Sequence, residues 1–291
     1  MIHTVQNAYL TVSADEQGAQ LMSILGSDGT EYLWQGDESY WSKRSPVIFP
    51  FVARLTGGKY LMDGKEYQLP IHGLAPYARF QLEEKTDTRL VFVLHSSEET
   101  KKAYPRDFVF RVSYALHGST LEVVYQVENR DSRTMHFALG GHPGFNVPLV
   151  KGLEFTDYRL RFSELSQPYR VRFNDSCFVT GQQERYSLEG HSSIPLRHDL
   201  FDRDAIVLVD MPRQVTLESD RDSHKVTVSY PRMGYVGFWH MPKTDAPYVC
   251  IEPWSSLPAR AGMITEFESK DDLLRLEPGL TYTNGWHITV E

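Results

Sequence analysis

A chain of 291 residues that is 41% hydrophobic can bury a large core, and its formal net charge of −8, from 38 acidic and 30 basic side chains, argues against a nucleic-acid partner because no Lys/Arg run offsets it. Two cysteines, Cys177 and Cys250, are too few for a disulfide framework and lack metal-ligand spacing, so the expected setting is reducing and cytoplasmic, although a single bridge between them stays open. No apolar run approaches the ~20 residues of a membrane helix, and MIHTVQNAYL has no basic-then-apolar signal pattern, so neither a membrane nor an export route is expected.

In chain order, the first departure from simple patterning is SPVIFPFVARLTGGKY, where Arg54 follows two prolines and precedes a glycine pair. YLMDGKEYQL then reads as a hairpin, with Asp63-Gly64 supplying the positive φ angles of a primed turn. LPIHGLAPYARF follows, again irregular, and carries His72 and Arg79. SEETKKAY predicts a short helix near residue 100. Phe108, Phe110, Val112, Tyr114 and Leu116 alternate on one face of a strand, as do Leu121, Val123, Tyr125 and Val127 on the next, with a turn at His117-Gly118-Ser119 between them. FALGGHPGFNVPL breaks the pattern once more. A histidine between Gly141 and Pro143 belongs at a strand end or in a loop, because Pro143 removes a ladder donor.

DLFDRDAIVL carries Asp202 and Asp204, either of which can cap a turn or hold a ligand. QVTLES, HKVTVSY and YVGFWH are further alternating segments. CIEPWSSLPAR sets Glu252 after the apolar run YVCI and before Pro253, which reads as a carboxylate at the end of a buried strand. KDDLLRL is compatible with a helix or with extended chain, and YTNGWHITV is a final strand. Strands following strands, with no long helical periods between them, exclude a doubly wound α/β fold and predict an all-β protein built as a large antiparallel β-sandwich. Proline and glycine are scattered through many turns, with no linker or repeat, so residues 1–291 read as a single domain.

The chemistry-bearing residues are therefore His72, His142, Glu252 and Arg54, all in segments that break the strand period. Each type also has a structural use: a histidine can be solvated, and a glutamate can pair with an arginine across strands. Trp34, Trp41, Trp239 and Trp254 can stack on sugar faces or fill a core.

The succession IFPFVARLTGGKY, then His72-Gly73, then GGHPGFNVP, then IEPWSS resembles the aldose 1-epimerase (galactose mutarotase) family over nearly the whole chain, in its LacX-like branch. The resemblance implies a many-stranded antiparallel β-sandwich with the sugar in an open cleft. It implies an isomerase that interconverts the α and β anomers of a free aldose. Residue by residue, it implies Glu252 as general base, His142 as general acid, His72 and Arg54 as substrate-holding residues, and an aspartate on sugar hydroxyls at Asp204 or Asp202, with Asp204 preferred. The family's long asparagine-rich sugar loop is missing here, which leaves the sugar's identity open.

The chemistry asks for these types. A base removes the proton of the anomeric hydroxyl while an acid protonates the ring oxygen, the ring opens, and it recloses on the other face. The expected arrangement has the two groups on opposite sides of the sugar, with the Glu252 carboxylate favouring a charged His142. No cofactor or metal is expected, and the only partner expected is a small-molecule sugar. Three other readings stand beside it. A hexose-6-phosphate mutarotase would hold phosphate with Arg54 and Arg79. A non-catalytic carbohydrate-binding protein would bind by aromatic stacking alone. A metal site would draw on His72, His142 and Glu252, without the tight spacing such sites favour.

Overall fold

The architecture follows from a computed structural model that describes residues 1–291. Two large antiparallel sheets dominate. One has nine strands in the order Ser193–Pro195, Arg159–Phe162, Gln214–Glu218, Val226–Ser229, Thr281–Val290, Thr120–Asn129, Phe108–His117, Arg89–His95 and Gln81–Lys85. The other has eight strands, running from Val179–Arg185 through Tyr169–Phe173, Ile206–Val209, Tyr235–Trp239 and Tyr248–Trp254 to the short pieces Gly140–Gly141 and Val47–Ile48, with Gly144–Asn146 also on Tyr248–Trp254. A three-stranded N-terminal sheet, Ile2–Gln6, Leu10–Asp15 and Leu21–Gly26, completes the sandwich. One contiguous apolar core reaches from Val5 to Val290.

The alternating segments form strands for the reason their period gives. In Thr120–Asn129 every second side chain is buried, and the strand pairs in register with Phe108–His117 through Leu121↔Leu116, Val123↔Tyr114 and Tyr125↔Val112. The Lys59–Met62/Lys65–Gln68 hairpin turns at Asp63 and Gly64 with φ of 54° and 71°, the left-handed values the Asp-Gly pair supplies. The helix near residue 100 is Glu98–Ala103, with Ser97 and Thr100 forming a reciprocal capping box. KDDLLRL resolves to extended chain: Leu274–Leu276 pairs with Met135–Phe137. No helix is long and apolar enough to cross a membrane. Both cysteines are free thiols, so the open question of a bridge closes against it.

Candidate active site

The site is built where the eight-stranded sheet is interrupted. Gly140 pairs with Trp254, and Gly144 pairs with Cys250, on the same strand. Between them His142 and Pro143 leave the ladder. Continuing that register puts His142 directly opposite Glu252, so both side chains leave the same face. On its other side Glu252 pairs with Gly237, which supplies no side chain to crowd it.

Glu252 is thus in mid-strand and not at a strand end as the Pro253 signal suggests. The strand survives its proline because the Ile251 amide points to the interrupted neighbour, donating to the Pro143 carbonyl at 3.2 Å. Pro253, two residues on, directs its missing donor to the same gap, where little pairing is lost. Gly141 is required for packing: a Cβ there would stand 2.5 Å from Cζ2 of the Trp286 ring.

His142 Nε2 approaches Glu252 Oε2 to 3.1 Å. The two groups lie side by side and do not face each other across a ligand. Both are buried, at 7% and 1% exposure. Glu252 Oε2 and His142 Nδ1 have no hydrogen-bond partner, which leaves the pair's polar capacity unspent. Burial, then the charge of Asp204, pushes the Glu252 carboxyl well above the usual range, weakly opposed by the Trp254 indole on the same face. Burial, then nearby His72, pushes the His142 imidazole well below its usual value. Burial thus works against the expectation that Glu252 favours a charged His142. The uncharged pair and the ion pair contain the same single proton and differ only by one transfer across a 3.1 Å contact.

His72 sits beside this pair, its ring 5.1 Å from that of His142 and nearly perpendicular to it. Its φ is 65°, a left-handed conformation that a non-glycine residue adopts only at a cost of about 1–2 kcal/mol. The backbone holds it there: its amide donates to the Ala53 carbonyl at 2.9 Å, and its Nδ1 accepts the Ala53 amide at 3.3 Å. An accepting Nδ1 puts the proton on Nε2, so His72 is a neutral donor. Burial, with the charges of Arg54 and Lys43, lowers its pKa to about 3, which keeps it neutral.

One cavity of about 300 Å³ is lined by His142, Glu252, His72, Arg54 and Asp204 together. Asp202 does not line it, whereas Asp204 does. Of the tryptophans, Trp41, Trp239 and Trp254 line the cavity, and Trp41 packs on the His142 ring at 4.9 Å. Trp34 instead stacks on Tyr248 at 4.7 Å, outside that lining. Arg79 does not line the cavity either: it is exposed and pairs with Glu16 at 2.9 Å, so it cannot share a phosphate with Arg54. Lys43, Tyr77, Phe173 and Cys177 also line it, without any sequence signal that singled them out for it. Cys177 lies against Asp204 and Arg54, and burial followed by Asp204 pushes its thiol up to about 11.

The metal alternative also changes composition. The donor atoms of His142, Cys250 and Glu252 lie within 4.8 Å of one another, and His72 is not in that group. Burial, then Glu252, pushes the Cys250 thiol well above its usual value. A second cavity, slightly larger at about 340 Å³, is lined by residues such as Phe51, Tyr60, Phe267, Lys270 and Asp272. It contains no histidine and none of the candidate residues, and its Lys270 is already paired with Asp272.

The model of the aldose 1-epimerase family matches residues 1–284. The plasmid and chromosomal LacX proteins of Lactococcus lactis subsp. lactis are each 31% identical over 294 residues, covering 98% of this chain and 98% of theirs. Among solved structures, a galactose mutarotase related enzyme from Lactobacillus acidophilus superposes with a TM-score of 0.95 at 33% identity, over 100% of this chain and 97% of that one. A galactose mutarotase-like protein from Lactobacillus casei ATCC 334 superposes with a TM-score of 0.94 at 30% identity, over the full length of both.

Proposed function

The chain belongs to the aldose 1-epimerase family of isomerases, and from that premise we propose that it interconverts the α and β anomers of an aldose, as a single domain, through proton transfers by Glu252 and His142. The observation that carries this reading is the pair itself: two buried proton-transfer groups 3.1 Å apart, opposite each other in register, at the wall of a cavity of sugar-binding character.

The side-by-side arrangement suits the reaction. The anomeric hydroxyl and the ring oxygen are bonded to the same carbon, so a base for one and an acid for the other must be neighbours. When sugar hydroxyls replace the missing hydrogen-bond partners, the proton moves from Glu252 to His142. The carboxylate then takes the anomeric proton, and the imidazolium delivers its own to the ring oxygen. Ring opening gives an aldehyde, rotation about the bond to C2 presents its other face, and the same two groups run the steps in reverse. The proton count of the pair is restored at the end of each turnover. His72 donates through Nε2, Arg54 donates, and Asp204 accepts, holding the hydroxyls in place. Trp41, Trp239 and Trp254 offer apolar faces to the ring. The substrate is a small sugar, and no cofactor or metal is needed for these transfers, because both groups are side chains.

The test is direct. Optical rotation of freshly dissolved α-anomers is followed with catalytic amounts of protein, across neutral and anionic aldoses. Acceleration of at least one aldose is the expected result. Binding of sugars without any acceleration would overturn the reading in favour of a carbohydrate-binding protein.

A further inference from the structure

The charge of the cavity does not match the charge of the chain. The whole protein carries a formal −8, yet the ionisable lining consists of Lys43, Arg54, Asp204, the thiol of Cys177, the phenol of Tyr77, the neutral His72 and the one-proton pair of His142 and Glu252. Arg54 and Asp204 are one cation and one anion on the same lining, so their formal charges sum to zero. That leaves Lys43. Its ammonium stands over the Tyr77 ring, 5.2 Å from the centroid, in a cation–π contact. It is half-buried, and no carboxylate lies within the 4 Å of an ion pair, in contrast to Lys270 of the neighbouring cavity, which is matched to Asp272.

Lys43 is also close to where a sugar would sit. Trp41, two residues before it, packs on His142. His72, Arg54 and Lys43 line the same cavity, and the charges of both cations act on the His72 ring. A neutral sugar would occupy the cavity and leave the Lys43 charge unmatched within a wall of Trp41, Tyr77, Trp239 and Trp254. An anionic group on the sugar would match it, in surroundings less polar than water, where such a contact is strengthened.

We propose that the aldose taken by this cavity carries an anionic group away from its anomeric carbon, a phosphate ester or a carboxylate, and that Lys43 binds that group. This rests on the mutarotase reading of the same site. It replaces Arg79, which geometry removes, with a cation that does line the cavity. A lysine ammonium is a compact point charge that accepts either anion, so the side chain alone does not separate the two sources.

The experiment compares kcat/KM for mutarotation of galactose, galactose 6-phosphate and galacturonate, and of the corresponding glucose series, each corrected for its rate without enzyme. Wild-type protein should prefer an anionic member over its neutral parent by about tenfold or more, the scale of one charge-assisted hydrogen bond. Lys43→Met should lose most of that preference through KM, whereas Lys43→Arg should keep it. Which anion is preferred identifies phosphate or carboxylate as the source. Wild-type turnover of neutral sugars as fast as that of both anions would overturn the proposal and leave the mutarotase reading standing. A preference that survives intact in Lys43→Met would also overturn it. No acceleration of any member would overturn both. Because the wild-type comparison needs no variant, a misfolded Lys43→Met protein would not rescue the idea.

Discussion

The hairpin Phe108–His117/Thr120–Asn129 and the strand Tyr248–Trp254 with its broken neighbour are built from the same antiparallel pairing, but they spend it differently. The hairpin keeps register for ten pairs, buries alternate side chains and has no non-glycine residue with positive φ. The site gives up two ladder positions at His142 and Pro143 and gains a histidine opposite a carboxylate. Of nine non-glycine residues with positive φ in the chain, four line the cavity: Ala53, His72, Cys177 and Asp204. Regular pairing and apolar burial give stability in one place. In the other, strained residues and unmatched polar atoms gather around one cavity, and the sandwich around them supplies the compensation.

The contrast breaks most visibly if the polar pair is changed. Glu252→Gln keeps shape and hydrogen bonding but cannot accept a proton, and His142→Asn cannot deliver one. Each should lower turnover by about 10²–10⁴-fold, the usual scale of one general acid or base. The double variant should be far less than multiplicatively worse, because the two act as one unit. Rates and melting temperatures measured on the same preparations check this. A folded, nearly fully active Glu252→Gln protein would show that the pair is structural. The hairpin should respond in the opposite way. Leu121 is fully buried, and Leu121→Ala should cost about 2–5 kcal/mol of stability through lost burial and a residual cavity. Chemical denaturation reads the loss, and the specific activity of the folded fraction should stay at the wild-type value.

The same division explains what the amino-acid sequence makes legible. Alternation at Phe108–Leu116 and Leu121–Val127 reports a face directly, because burial follows the pleat with period two. Asp63-Gly64 reports its turn because few residues tolerate that backbone. The site is legible only as breaks: GGHPGFN and IEPWSS announce that regular pairing is disturbed, and the resemblance to a family names the residues. The juxtaposition of His142 with Glu252 is a matter of register between segments about a hundred residues apart, which no local pattern encodes. Lys43 and Cys177 are not legible at all, since their place in the wall depends on how separate loops pack. Arg79 shows the converse: its segment suggests a site residue, but the side chain turns away to Glu16. The strand end read at Pro253 fails because a proline ends a strand only when its missing donor has a partner to lose.

The smallest effect concerns how the two regions respond to pH, and its sign follows from proton counting. Unfolded, Glu252 and His142 titrate near their ordinary values of 4.5 and 6.5. Folded, the raised carboxyl and lowered imidazole hold one proton between them across this range. Taken singly, the raised Glu252 contributes stability that is lost as pH rises above 4.5, and the lowered His142 contributes stability that is lost as pH falls below 6.5. Between those values the unfolded chain also holds one proton, on the histidine, so the two slopes cancel and the pair's contribution is level. Above 6.5 the unfolded chain holds none while the folded pair keeps one, so stability should fall as pH rises, by up to about 1.4 kcal/mol per unit. Below 4.5 the unfolded chain holds two, and stability should fall as pH drops. Glu252→Gln removes the alkaline loss, because the folded protein then keeps no extra proton above 6.5. Melting temperatures of wild type and Glu252→Gln from pH 6.5 to 8.5 should therefore diverge, with the wild type declining and the variant nearly level. Leu121→Ala, with no titrating group changed, should decline in parallel with the wild type. Parallel decline of Glu252→Gln instead would show that the folded pair holds no proton above 6.5, with an ionised Glu252 beside a neutral His142, because the uncharged pair and the ion pair hold the same proton and both predict divergence.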